Sequence, residues 1–255
     1  MVLSQTVEGV SEYQDLSQLI QEKTFDTLIS KITFENGWKI IDVGCGTGNN
    51  SVKLANFVGD NGKVIATDPM MDRIESATKT HDIKHLEFHT AYGKESSTYG
   101  KDFDLAMSST VLHWIPPEEK LPTFQSIFDS LKQDGMFAFN TVKNNTLNIG
   151  PIAGKLPNVD FLMNHYHPSS REELEELANK SGFNHVDIIE KDICITLPSL
   201  DYYLRWFACS VHVADYDTVL ADFRKLCETE DTSCLHDENG KVTYKQTYFF
   251  GYCKR

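Results

Sequence analysis

The sequence predicts an α/β fold: a mainly parallel, seven-stranded sheet with an antiparallel last strand and helical insertions. Three observations predict it. Between Trp38 and Asn140 short apolar runs alternate with helical patterns, as βαβ units do. A glycine-rich turn, Gly44 to Gly48, joins the first apolar run to a helix. Two further strand patterns lie near the C-terminus, separated by a long excursion. The central runs are apolar at consecutive positions, which is the pattern of parallel strands covered on both faces. A chain of 255 residues buries a sizeable core without disulfides or metal staples, and its length suits one large domain with insertions.

Taken in order, 15–32 reads as one or two amphipathic helices. Strands are predicted at 39–43, 63–67, 86–89, 103–108 and 136–141, with helices at 51–58, 71–80 and 121–131 between them. Asp134-Gly135 is a turn signal that starts the fifth strand. From Lys143 to Tyr166 the chain is rich in Asn, Pro and Gly without a period, the mark of a loop or lid. Ser170, with Glu173 three residues on, forms a capping box, and Gly182 supplies the stop, so 171–180 is a helix. Its acidic face is a solvated surface, favourably placed near the helix N-terminus. A strand at 185–190, a mixed helical segment at 200–227 and a last strand at 244–253 complete the chain. The last two strands are suited to antiparallel pairing.

Composition excludes several functions. With 24 Lys+Arg against 37 Asp+Glu the formal net charge is −13, which repels phosphate backbones and anionic lipid. No apolar run approaches the roughly 20 residues of a membrane helix. The first eleven residues lack a basic stretch followed by an apolar one, so the expected location is cytoplasmic. Six cysteines, at 45, 194, 209, 227, 234 and 253, form no CxxC pair and no zinc-ligand spacing; reduced thiols and no metal are expected.

The chemistry lies in Lys39-Ile40-Ile41-Asp42-Val43-Gly44-Cys45-Gly46-Thr47-Gly48, an apolar strand ending in an acid and followed by alternate glycines. Glycine serves where a backbone turns sharply or a ligand approaches without meeting a Cβ. A dinucleotide fingerprint needs its third glycine at 49, where this chain has Asn, and no Walker lysine follows. Asp42 suits a cationic ligand group better than a pyrophosphate. Asp68 ends the next strand, about 20 residues beyond Gly48, where a carboxylate accepts from the ribose hydroxyls of an adenosine-type ligand. Alone it would equally be a cap for the helix entered through Pro69; the glycine loop favours the ribose.

Asp42 to Gly48, Asp68, the Phe103-Asp104-Leu105 strand and its Leu112-His113-Trp114 sequel together resemble the class I S-adenosylmethionine-dependent methyltransferases, which have a Rossmann-like fold. Within them, Ser109-Thr110-Val111-Leu112-His113-Trp114 and the terminal Tyr248-Phe249-Phe250-Gly251-Tyr252-Cys253-Lys254 resemble the group of juvenile hormone acid and trans-aconitate O-methyltransferases. The resemblance implies S-adenosyl-L-methionine as cofactor. Gly44, Cys45, Gly46 and Gly48 then lie against its methionine part, Asp42 reaches the amino end, Asp68 and Pro69 border the ribose, and Met70 packs on adenine. Relatives carry an Asp after the third strand; here Ala91-Tyr92-Gly93 stands there, so Tyr92 or a backbone carbonyl takes its place. Ser109 borders the methionine part. On this resemblance the whole of 1–255 is expected to be one methyltransferase domain, with a helical lid at 1–37, the cofactor-binding core at 38–142 and substrate-covering insertions at 143–168 and 200–232.

Methyl transfer from a sulfonium needs alignment and exclusion of water, and a carboxylate acceptor needs no general base. His113 and Trp114 offer N–H donors at the carboxyl edge of the sheet, or alternatively serve helix entry and lid packing. Tyr13, Gln14 and Gln21 in the N-terminal segment, and Tyr166, Trp206 and His212 in the insertions, are candidates for the substrate side; the alternative is an exposed helix for the first group and lid packing, the commoner role of large aromatics, for the second. The expected reaction is O-methylation of a small organic or isoprenoid-like acid by a monomer or homodimer. The alternatives are N-methylation of a small amine and cofactor binding without catalysis. An anionic substrate would need local donors, since the field of the whole protein opposes its approach.

Overall fold

The computed structural model describes residues 15–16, 18–143, 155, 164–210, 216–230 and 236–255. Tyr13, Gln14, His212 and most of the segment read as a lid at 143–166 lie outside them. Helix α1 (Gln18–Ile29) precedes the sheet. Then come β1 (Lys39–Val43), α2 (Asn49–Val58), β2 (Lys63–Asp68), α3 (Met71–Thr80), β3 (Leu86–Thr90), a 3₁₀ helix at Gly93–Thr98, β4 (Phe103–Ser109) and a 3₁₀ turn at Leu112–Trp114. They are followed by α4 (Pro117–Ser130), β5 (Leu131–Val142), α5 (Arg171–Ser181), β6 (His185–Leu197), α6 (Leu200–Ser210), α7 (Tyr216–Thr229) and β7 (Val242–Lys254).

The seven strands lie in the order β3-β2-β1-β4-β5-β7-β6. The first five are mutually parallel, and β7 runs antiparallel to both neighbours, as the two late strand patterns suggested. The order reverses at β1, with β2 on one side and β4 on the other. In open α/β sheets the crevice above such a point holds the ligand. Side chains of a strand alternate between faces, and consecutive residues of β1 accordingly enter different cores. Ile40 belongs to the cluster that holds Phe25 and Leu28 of α1 and Leu54 of α2, whereas Ile41 belongs to the one that holds Phe124 and Ile127 of α4 and Leu174 of α5. A third cluster joins α6 and α7 to the outer parts of β6 and β7 and to Ile20 of α1, forming a cap at one end of the sheet.

Three elements differ from the sequence reading. The Asp134-Gly135 turn does not start β5 but sits inside it as a bulge: Phe103 pairs with Leu131 and Leu105 with Met136, and Asp134 takes φ 62°. Helix α4 begins at Pro117 rather than at Leu121, because proline is preset for the first helical position and Glu118 and Glu119 favour the positive end of the helix. Strand β6 continues past Glu190 to Leu197. The charged pair Lys191-Asp192 breaks the apolar pattern but faces solvent, while Ile193 and Leu197 continue the buried face. Asp192 is paired across the strands, accepting from Thr247 Oγ1 at 2.7 Å and lying 3.1 Å from Lys245 Nζ. No disulfide links the five described cysteines, and no described helix is long and apolar enough to cross a membrane.

Gly251 marks a close approach between β7 and β5, since a Cβ there would lie 2.1 Å from Cζ of Phe139. Gly251→Ala is therefore expected to cost about 1–3 kcal/mol through overpacking. Urea unfolding checks it: the midpoint should fall with little change in slope, and an unchanged midpoint would mean that Phe139 moves aside freely.

Candidate active site

A cavity opens above the carboxyl ends of β1, β2 and β4. One half is charged. It is lined by Asp42, Gly44 and Cys45 from the β1–α2 turn, by Asp68, Pro69, Met70 and Arg73 from the β2–α3 turn, and by Ser109, Thr110 and Val111 at the exit of β4. The other half is aromatic, lined by Gln21, His113, Trp114, Tyr166, Tyr203, Trp206, Tyr244, Gln246 and Tyr248 among others.

The β1–α2 turn is held by the neighbouring strand, the amides of Gly44 and Cys45 both donating to the carbonyl of Thr67, at 2.7 and 2.9 Å. Gly44 has φ 81°, and a Cβ on it would lie 2.3 Å from Cγ2 of Val111, so only glycine lets the β4 exit pack on this turn. Gly46 and Gly48 are not among the residues that line the cavity, and Gly48 backs onto Phe88 and His81.

Asp42 is 3 % exposed and accepts a 2.6 Å hydrogen bond from Ser51 Oγ. Burial, only partly offset by Ser51 and reinforced by the charge of Asp68, pushes its carboxyl up to about 6. Asp68 accepts from the amides of Gly46 at 3.0 Å and Met70 at 2.9 Å. It therefore bonds the amide of Met70, the N-cap of α3, while lining the cavity. Burial raises its pKa too, against the opposing pull of the Arg73 guanidinium. Arg73 is itself buried, on the first turn of α3.

In the aromatic half, His113 is buried, with Nδ1 3.2 Å from Thr141 Oγ1. Its ring lies 5.2 Å from that of Trp114 and 5.3 Å from that of Tyr166, and Trp114 and Tyr166 meet edge to face at 5.4 Å. The His167 amide donates to the His113 carbonyl at 2.7 Å, tying the Tyr166 segment to this turn. The hydroxyls of Tyr244 and Tyr248 are 2.8 Å apart. Burial pushes the Tyr248 phenol up to about 12 and raises those of Tyr166, Tyr203 and Tyr244 as well, so all four carry their protons at neutral pH.

Of the residues singled out from sequence, Asp42, Gly44, Cys45, Asp68, Pro69, Met70, Ser109, Gln21, His113, Trp114, Tyr166 and Trp206 come together around this one cavity. Tyr92 is a correction, for it is 47 % exposed and not among the lining residues. Its amide donates to Glu95 at 2.7 Å, opening the 3₁₀ helix, and its ring lies beneath Lys94 on the outside. Sequence reasoning missed Arg73, Thr110, Tyr203 and the row Tyr244, Gln246, Tyr248. The row repeats every second residue of β7, a signal visible in the sequence once the strand's inner face is known. Among the described residues no three His, Cys, Asp or Glu side chains are grouped to hold a metal ion.

The donor set fits S-adenosylmethionine: carboxylates for an ammonium and a ribose, and a turn closely approachable at Gly44. Comparison with known proteins agrees. Residues 40–135 match the family described as a methyltransferase domain. An uncharacterized methyltransferase of Staphylococcus carnosus is 24% identical over 198 residues, 73% of this chain and 87% of that one. Demethylmenaquinone methyltransferase of Staphylococcus saprophyticus is 24% identical over 207 residues, 72% of this chain and 87% of that one. Among solved structures, the Haemonchus contortus phosphoethanolamine N-methyltransferase 2 in complex with S-adenosyl-L-methionine superposes with a TM-score of 0.64 at 16% identity, over 98% of this chain and 57% of that one. The sheet order is that of Rossmann-like methyltransferase structures, and residues 40–135 of this chain match a methyltransferase domain.

Proposed function

We propose that the protein methylates the carboxylate of a small, largely apolar organic acid. The observation that carries this reading is the division of the cavity: its acids and its arginine all stand in the cofactor half, and the substrate half carries neutral donors on aromatic walls. The sulfonium of S-adenosylmethionine supplies an electrophilic methyl carbon. Asp42 would hold the cationic end of that cofactor, Asp68 its ribose, and the backbone at Gly44 its methionine part. A carboxylate is already ionised and needs no proton removed. It needs orientation, which the N–H of Trp114, the amides of Gln21 and Gln246 and a phenol of the Tyr244–Tyr248 pair are equipped to give. The rings of Trp206, Tyr203 and Tyr166 would cover the apolar remainder and keep water out.

The likeness of Leu112-His113-Trp114 and of the last strand to the juvenile hormone acid and trans-aconitate group supports an acid as acceptor. A phosphorylated amine, such as the phosphomonomethylethanolamine bound by the Haemonchus enzyme, fits less well, because no Lys or Arg stands in the substrate half among the described residues. An apolar amine is the second reading, favoured by the same rings, which would face a cation well. On either reading the partner is a small molecule, with no nucleic acid or membrane required, and the protein acts as a monomer or homodimer in the cytoplasm.

The two acceptors differ in pH dependence. With a carboxylate acceptor, turnover at saturating cofactor should stay flat down to about pH 5, whereas an amine must first lose a proton and its rate falls steadily below its pKa. A steep decline through neutral pH in a profile of kcat would overturn the carboxylate reading. Cofactor binding has its own dependence. Asp42 titrates at about 6 in the ligand-free protein, and a cationic ligand favours its ionised form. Affinity for S-adenosylhomocysteine should therefore be constant above pH 7 and fall as pH drops through 6, with proton release on binding near pH 6. Calorimetry in buffers of different ionisation enthalpy reads both. The ligand-free protein has the opposite tendency, gaining the stability that Asp42 withholds as pH falls from 7 towards 4, and Asp42→Asn should abolish both effects.

A further inference from the structure

We propose that Asn140 is a positioning residue of the active site: it locks Thr110 in a left-handed backbone conformation that delivers Val111, His113 and Trp114 to the cavity. Thr110 has φ 63°. Only one other described non-glycine residue, Asp134 in the β5 bulge, has a positive φ. A β-branched side chain is poorly suited to this region, so something must hold the residue there.

Asn140 supplies the hold. It lies on β5 directly across from Ser109 and is wholly buried. Its carbonyl accepts from the Thr110 amide at 3.0 Å, and its side-chain Oδ1 accepts from Thr110 Oγ1 at 2.9 Å. Its Nδ2 donates to Ser109 Oγ at 3.0 Å. Both ends of the side chain are thus committed to the β4 exit. A buried amide in a central strand is costly unless bonded, and the bonds made here converge on the two residues that turn the chain.

The turn has consequences on both sides of the cavity. On one side it lays Val111 against Gly44, at the contact no larger residue would permit. On the other, the Val111 carbonyl accepts from the Trp114 amide at 2.8 Å, closing the 3₁₀ turn that aims His113 and Trp114 inward. Relaxed to the extended conformation that threonine prefers, residue 110 would withdraw Val111 from the cofactor turn and swing the His113–Trp114 pair away. Asn140 acts on the cavity through Thr110 and is absent from its wall.

A double-substitution cycle tests this. Asn140→Ala is made in the native chain and in a Thr110→Gly background, where glycine takes the left-handed turn unaided. The readouts are affinity for S-adenosylhomocysteine by calorimetry and the urea midpoint without ligand. Coupled residues should not be additive: Asn140→Ala should weaken binding at least about tenfold in the native background and less than about threefold with Gly at 110. Equal losses in both backgrounds would mean that Asn140 acts by packing alone, and would overturn the proposal. The binding readout rests on the cofactor reading and the midpoint does not. If the unsubstituted protein fails to bind the ligand, the cofactor reading falls, and the clamp is then judged by whether the midpoint drops further in the native than in the Thr110→Gly background. Asn140→Ser goes through the same cycle should Asn140→Ala not fold.

Discussion

Two carboxylates buried at the ends of neighbouring parallel strands, Asp42 and Asp68, are the constraint around which the rest of the molecule is arranged. Removing an ion from water costs several kcal/mol even after relaxation, and like charges nearby add to it. The compensation comes from separate elements. The Ser51 hydroxyl reaches Asp42 from the first turn of α2, the amides of Gly46 and Met70 reach Asp68 from the two strand-to-helix turns, and Arg73 faces it from α3. Each of these groups lies where a helix leaves the sheet, so the same bonds join the βα units and shape the site. The compensation is also incomplete. Burial leaves the Asp42 carboxyl pushed up to about 6, so under the proposed function a cationic ligand would supply part of the stabilisation that the site withholds.

The reversal of strand order at β1 determines where that charge is exposed. Because β2 and β4 leave β1 in opposite directions, their connections diverge and a crevice remains above the strand ends. On the β2 side it is walled by the two carboxylate turns, and on the β4 side by the Thr110 turn. The contact of Val111 with Gly44 is where the two walls meet. The aromatic half is then assembled from distant parts of the chain: α1, the segment around Tyr166, α6 and β7.

That assembly explains what the sequence made legible. The glycine turn, Asp42 and Asp68 are local features, each set by a strand end and the helix after it, and the strands from β1 to β4 appear within a residue of their predicted bounds. Local pattern failed where tertiary pairing decides. The bulge at Asp134 exists because β5 pairs with Phe103 ahead of it, and the far half of β6 exists because β7 lies alongside. Tyr92 was misplaced for a local reason that only structure reveals. Glu95 draws its amide into a capping box, and this turns the ring outward. The row of Tyr244, Gln246 and Tyr248 was visible as an alternation, but which face it presents depends on the antiparallel placement of β7 between β5 and β6.

The neutrality of the aromatic half has a catalytic logic under the proposed function. An ionised acceptor invites an arginine, and such a pair would bind it more firmly than hydrogen bonds from phenol, indole or amide. Methyl transfer, however, consumes the acceptor's charge, since the product ester is neutral. An ion pair would stabilise the substrate more than the transition state and would raise the barrier, whereas only interactions that strengthen towards the transition state accelerate the reaction. Neutral donors orient the carboxylate while leaving its electrons available, and phenols whose pKa burial has raised cannot themselves become competing anions. With a formal net charge of −13 the protein offers an anion no long-range attraction, so affinity must come from apolar contact with the rings. Selectivity should then follow the shape of the hydrocarbon part more closely than the acid group, and the charged machinery is reserved for the cofactor, where a positive charge is gained on binding and removed by the reaction.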